Sequence, residues 1–190
     1  MDHDPCPSQT VGPYFHLGCT DPQWLSCPAG PKAKGERVRL VCRVLDGQGV
    51  PVTDAMIEIW QADWEGKYHH PEDPRAKAGD PDCPGFARSA TDERGISVFD
   101  TIRPGRVPGN NGSWQAPHLN VSVFARGVMK RLATRIYFAE DPANQQDPVL
   151  ALVPEERRQT LMAKPDPQPG GHWRFDLRLC GEEETVFFDV

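Results

Sequence analysis

His118 and Asn120 sit two residues apart on the segment HLNVSVFA, which spans 118–125. Its polar–apolar alternation predicts a half-buried β-strand. Side chains two apart on a strand share a face, so H-x-H at this place would present two imidazoles to one metal ion. The second position is Asn120, a neutral and weak ligand. The plainer reading is a hydrogen-bonded polar pair beneath a loop. His69 and His70 are adjacent and therefore point in different directions. His70-Pro-Glu72 echoes the H-x-E half of a facial triad, but no third ligand is placed, and adjacent histidines in a polar loop are ordinarily solvated. Ser89 and Ser122 have no His–Asp setting. No nucleophile elbow, Walker loop or dinucleotide fingerprint is present. Arg126 follows the alternating segment and precedes Gly127, which predicts a strand end on a loop rim. A guanidinium there can clamp a carboxylate through its planar fork; the bland alternative is a solvated surface arginine. On chemistry alone the chain reads as a β-rich binding scaffold.

The elements that must position these groups are short. RVRLVCRVL (37–45) alternates and ends at a DGQG turn, and AMIEIW (55–60), GISVFDTI (95–102), ATRIYF (133–138), 173–179 and 185–188 read as further strands. The 133–138 strand is the expected hairpin partner of 118–125. PEERRQTLMA (154–163) has proline at its start and acids in its first turn, which predicts the one good helix. Between Gly66 and Gly85 lies a long polar loop with four prolines, a length that is often functional. Residues 1–35 lack a long periodic segment and read as an extended arm. Seven short strands with a late helix favour a β-sandwich, so the expectation is a mainly β fold: an antiparallel sandwich over 36–190, with one or two short helices and the arm at 1–35.

Composition bounds the rest. The 190 residues suit one domain with a sizeable core, and 20 prolines with 17 glycines, scattered evenly, suit many turns. A net charge of -6 argues against nucleic acid. No apolar run approaches the roughly 20 residues of a membrane helix. The start, MDHDPCPSQT, lacks a basic then apolar leader. The expectation is a cytoplasmic protein whose six cysteines are reduced thiols rather than a disulfide framework.

A set of phrases in fixed order resembles the intradiol ring-cleavage dioxygenases over nearly the whole chain: SQTVGPYF, IEIWQADWEGKY, ARSATDERGISVFDTIRPG, APHLNVSVFARG, TRIYFAED and ETVFFDV. SQTVGPY, APHLN and FARG are similar to the α type of chain in two-chain members more than to the iron-bearing β type. The resemblance implies ferric iron held by two tyrosines and two histidines. Position by position, the first tyrosine matches Tyr68, the second falls on Val107, the first histidine matches His118 and the second falls on Asn120. An arginine expected before the histidine motif is Gln115. Two of four ligands are gone, which implies a duplicated sandwich whose Fe(III) sits on a homologous catalytic β partner in a higher αβ multimer. The pair Tyr68 and His118 would then be remnants, hydrogen-bonded to each other or to Asn120. The same resemblance implies that the arm, through Thr10, Gly12, Pro13 and Tyr14, reaches over the partner's iron pocket, and that Arg126 contacts the substrate. That substrate would be protocatechuate, a catechol bearing a carboxylate, cleaved with O2. Three alternatives stay open: a self-sufficient dioxygenase with altered ligands, a binding module that shares only the fold, and an arm that is inter-subunit glue without ligand contact.

Overall fold

A computed structural model describes residues 7–20, 27–73, 75–76, 78–167 and 171–190. Cys6 and Trp24 of the arm lie outside them. A helix α1 (Pro13–Cys19) is followed by ten strands: β1 (Arg37–Leu45), β2 (Met56–Trp60), β3 (Phe86–Ala90), β4 (Ile96–Ile102), β5 (Val107–Pro108), β6 (Trp114–Gln115), β7 (His118–Phe124), β8 (Leu132–Phe138), β9 (Met162–Pro165) and β10 (His172–Arg178).

The alternation in β1 decides its two faces. Val38, Leu40, Cys42 and Val44 point inward and are buried. Arg39 and Arg43 point outward, where Arg39 meets Asp100 of β4 at 2.6 Å and Arg43 meets Asp176 of β10 at 2.8 Å. Such exposed pairs add little stability; the register is set by the inner face, because a slip of one residue would turn Val38, Leu40, Cys42 and Val44 outward. Eight strands run in the order β3-β2-β7-β8-β9-β10-β1-β4. Apolar side chains of β1, β4 and β10 share one core with those of β2, β7 and β8, so this sheet folds into two packed leaves. Phe138 and Trp173 meet edge to face across that core, with centroids 4.9 Å apart. The Arg103 guanidinium lies 4.6 Å from the Phe138 ring centre and is held by Asp141 at 2.9 Å.

The mainly β sandwich with short helical turns is the expected architecture, and β1 and the β7–β8 hairpin stand where the pattern puts them. Several particulars differ. Two strand pairs, β1 with β10 and β8 with β9, are parallel rather than antiparallel. The 154–163 segment is not an α-helix. A 3-10 helix covers Glu155–Leu161, and Met162 and Ala163 pair with Tyr137 and Phe138 of β8. Tertiary pairing and the burial of Leu161 override the local helix signal. The 185–188 segment makes only an isolated bridge, Phe188 to Ala133, since the Thr185 amide turns back to the Arg178 carbonyl. Within the span read as extended, Pro13 begins α1, where its missing N–H costs nothing. Residues 27–35 lie on this chain's own leaf. The Gly30 amide donates to Asp82, the Gly85 amide donates to Pro28, and Ala29 and Ala33 pack with Cys83 and Ile102.

The five described cysteines are free thiols. Burial pushes Cys42 and Cys83 up to about 12, so neither is a nucleophile near neutral pH. No helix among the described residues is long and apolar enough to cross a membrane.

Candidate functional site

The first end of β7 carries His118 and Asn120 on the face away from the core, as their spacing requires. Asn120 pairs with Trp60 of β2 on one side and Arg135 of β8 on the other. Its Nδ2 donates to the Tyr68 hydroxyl at 3.1 Å and to the Trp60 carbonyl at 3.4 Å. Tyr68 arrives from the long loop and stacks on Trp60, with centroids 5.8 Å apart and planes 10° apart. Two glycines make that arrival possible. Gly66 has a φ of +82, and a Cβ on it would stand 1.8 Å from the Arg106 carbonyl oxygen. Gly105 donates its amide to the Asp63 carbonyl at 2.8 Å. The loop bearing Tyr68 thus crosses directly over the turn that delivers Val107.

Burial pushes the Tyr68 phenol up from its ordinary range, against the opposing pull of its Asn120 hydrogen bond and of Arg135 and Arg75. Tyr68 therefore stands as a neutral phenol. His118 is buried, and its Nδ1 donates to the Ala116 carbonyl at 2.7 Å. The carbonyl can only accept, so the neutral ring carries its proton on Nδ1. Nε2 is then a buried lone pair without a hydrogen-bond partner among the described residues. Burial first, and the nearby Arg135 cation second, push this imidazole down to about 4.

Arg135 is the residue that motif reading missed. Its Nη1 donates to the Gln115 side-chain oxygen at 2.7 Å and to the Tyr137 hydroxyl at 3.3 Å. Tyr137 donates in turn to Asp147 at 3.2 Å. Asp147 also accepts from the Ala116 amide at 2.7 Å, fixing the entry to β7. In TRIYF Arg135 and Tyr137 share a strand face, but nothing in the phrase sets Arg135 beside Asn120.

These positions do not fit a ferric ion. Val107 offers no donor atom, Asn120 is spent on Tyr68 and the backbone, and a guanidinium stands among the groups that would have to become anionic or ligate a cation. No group of three or more His, Cys, Asp or Glu able to hold a metal occurs among the described residues. The expected remnant contact exists for Tyr68 with Asn120; His118 instead bonds the backbone. His70 takes part in no metal cluster: its Nδ1 accepts from the Glu72 amide at 3.2 Å, and its ring meets Trp60 edge-on.

The other end of β7 gathers the remaining candidates. The Gly127 amide donates to Thr10 Oγ1 at 2.7 Å, and the Phe15 ring lies 5.5 Å from that of Phe124. Pro13 opens α1, Gly12 has open space around it, and Tyr14 is 85% exposed. The Arg126 side chain is 82% exposed and reaches Asp54 at 3.1 Å. Thr10, Gly12, Pro13, Tyr14 and Arg126 thus form one exposed neighbourhood, apart from Tyr68, His118 and Asn120.

Comparison with known proteins shows the family. Residues 10–181 match the family described as Dioxygenase. The protocatechuate 3,4-dioxygenase alpha chain of Burkholderia cepacia is 47% identical over 97% of this chain and 96% of its own length. The beta chain of the enzyme of that name from the same organism is 36% identical over 80% of this chain and 67% of its own. Among solved structures, 3-chlorocatechol 1,2-dioxygenase from Rhodococcus opacus 1CP superposes with a TM-score of 0.64 at 25% identity, over 90% of this chain and 71% of that one.

Proposed function

The chain belongs to the intradiol ring-cleavage dioxygenases, a family dependent on non-heme Fe(III), and on that premise we propose that it serves as the α-type subunit of a protocatechuate 3,4-dioxygenase. The reaction opens the ring of 3,4-dihydroxybenzoate between its two hydroxyl-bearing carbons. Both atoms of O2 enter the product, 3-carboxy-cis,cis-muconate. A homologous β chain holds the Fe(III) in a cytoplasmic αβ multimer. The observation that carries this reading is the contrast between the two ends of β7. The ligand end has Val107 and Asn120 in place of donors, while the other end keeps an exposed Thr10–Tyr14 segment beside Arg126.

The roles follow from chemistry. Among the described residues Arg126 is tied by one exposed ion pair, worth about 0–1 kcal/mol, so it can exchange Asp54 for a substrate carboxylate on the partner. Gly12 lets backbone approach a ligand without a Cβ in the way. Pro13 restricts the chain entering α1, and Tyr14 offers a ring and a hydroxyl outward.

Iron content and ring-cleavage activity test this, measured for the chain alone and for the chain co-expressed with its β partner. The expected outcome is an iron-free, inactive lone chain and an iron-bearing pair that opens protocatechuate. Iron and turnover in the lone chain would overturn the assignment. Within the pair, Arg126→Ala should raise KM for protocatechuate about tenfold or more, with much less effect on catechol, since only the former has a carboxylate to lose. Equal effects on the two substrates would remove Arg126 from the pocket.

A further inference from the structure

A cavity of about 400 Å³ opens beside the Trp60–Tyr68 stack, with Val107 and Pro108 as an apolar wall. That size is ordinary for a small-ligand pocket. Its polar lining is unusual in sign. The Tyr68 hydroxyl accepts from Asn120, which leaves its own proton without an acceptor among the described residues. His70 Nδ1 accepts from the Glu72 amide, so the neutral ring carries its proton on Nε2. Arg75 spends Nε and Nη2 on Asp73 and the Gly66 carbonyl, and its Nη1 has no protein partner among the described residues. The carboxylate of Asp73 is fully committed, because it takes Arg75, Lys67 Nζ and the Tyr68 amide. The pocket therefore presents three donors and an aromatic wall. The opposing group is Glu72, exposed at the rim.

We propose that this cavity is a binding site for one small single-ring aromatic carboxylate, held on this chain without any metal. The ring lies along Trp60, Val107 and Pro108. The carboxylate and any ring hydroxyl accept from Tyr68, His70 Nε2 and Arg75 Nη1. This goes beyond the subunit role and does not depend on which chain holds iron, for every group involved belongs to this chain. Where the ligand is also the substrate class of the assembly, each αβ pair would hold two aromatic acids, only one of which reacts.

Titration calorimetry of the full chain with 4-hydroxybenzoate tests the site. Saturable binding at one molecule per chain is expected. Tyr68→Phe keeps the stack on Trp60 and removes only the hydroxyl, so it should weaken binding about tenfold. His70→Phe should weaken it to a similar degree, and Glu72→Gln should tighten it several-fold at low salt by removing the rim charge. Cyclohexanol, which lacks both carboxylate and flat ring, should not bind. Absence of saturation at millimolar ligand would overturn the proposal. So would an affinity that neither Tyr68→Phe nor His70→Phe changes in variants whose thermal unfolding matches the parent chain. Iron assays on the αβ pair fail or succeed separately from either result.

Discussion

His118 is a buried imidazole held by one ring nitrogen alone among the described residues. The Ala116 carbonyl fixes Nδ1, and Nε2 has no donor to accept from among the described residues. A buried acceptor left unpaired costs on the order of 1–3 kcal/mol, a cost the fold tolerates here. Because the folded ring titrates at about 4 while an unfolded histidine titrates near 6.5, the unfolded chain binds more protons between those values. Stability is therefore full above about pH 6.5 and falls as pH drops toward 4, by on the order of 3 kcal/mol in all. Urea midpoints measured from pH 7 to 4.5 should show that decline, and His118→Gln should flatten much of it. A variant with the parent's slope would mean that other groups carry the acid sensitivity. At this scale the Tyr68–Asn120 contact was legible, because strand spacing and phrase order placed both positions. Arg135 was not. It lies on β8 opposite Asn120 of β7, and although the hairpin was expected, its register is not visible in the sequence.

Elements record where local and tertiary preferences disagree. The alternating patterns of β1, β4 and β7 follow from a single buried face, so their positions could be read directly. In the 154–163 segment, acids and proline favour a helical start, but two residues are drawn into the seam between the leaves, and the helix shrinks to a 3-10 turn. Strands of two residues, such as β5 and β6, are too short to carry any period. They matter nevertheless, since β5 sets Val107 beneath the loop that carries Tyr68. That crossing depends on Gly66. Gly66→Ala should destabilise the chain by at least about 2 kcal/mol, because the residue needs positive φ and its new methyl would meet the Arg106 backbone. Chemical denaturation would check this, and a loss below 0.5 kcal/mol would mean that the two loops can part cheaply.

For the whole molecule, the exposed apolar surface is informative. Tyr14 and Leu17 of α1 and Met129 of the β7–β8 turn are 85%, 69% and 52% exposed, on segments that meet through Thr10–Gly127 and Phe15–Phe124. Large side chains left bare near one another mark contact surfaces. If α1 lies against the β partner, Leu17→Asp should weaken the αβ pair at least tenfold while leaving the thermal midpoint of the lone chain within a few degrees. Sedimentation of mixtures would read the first effect; an unchanged pair would place the partner elsewhere.

One strand, β7, carries His118 and Asn120 at its start and the arm's anchor at its end, with about 20 Å between His118 and Phe124 at strand rise. Sites that far apart, with no shared side-chain partner among the described residues, respond to substitution almost independently. On the proposed function, a lineage could therefore erase metal binding at one end by ordinary drift while selection held the other end constant. Two gene copies that began alike could in this way divide the work of one pocket, one supplying the reactive ion and the other a wall of the chamber, without any intermediate that lost the reaction.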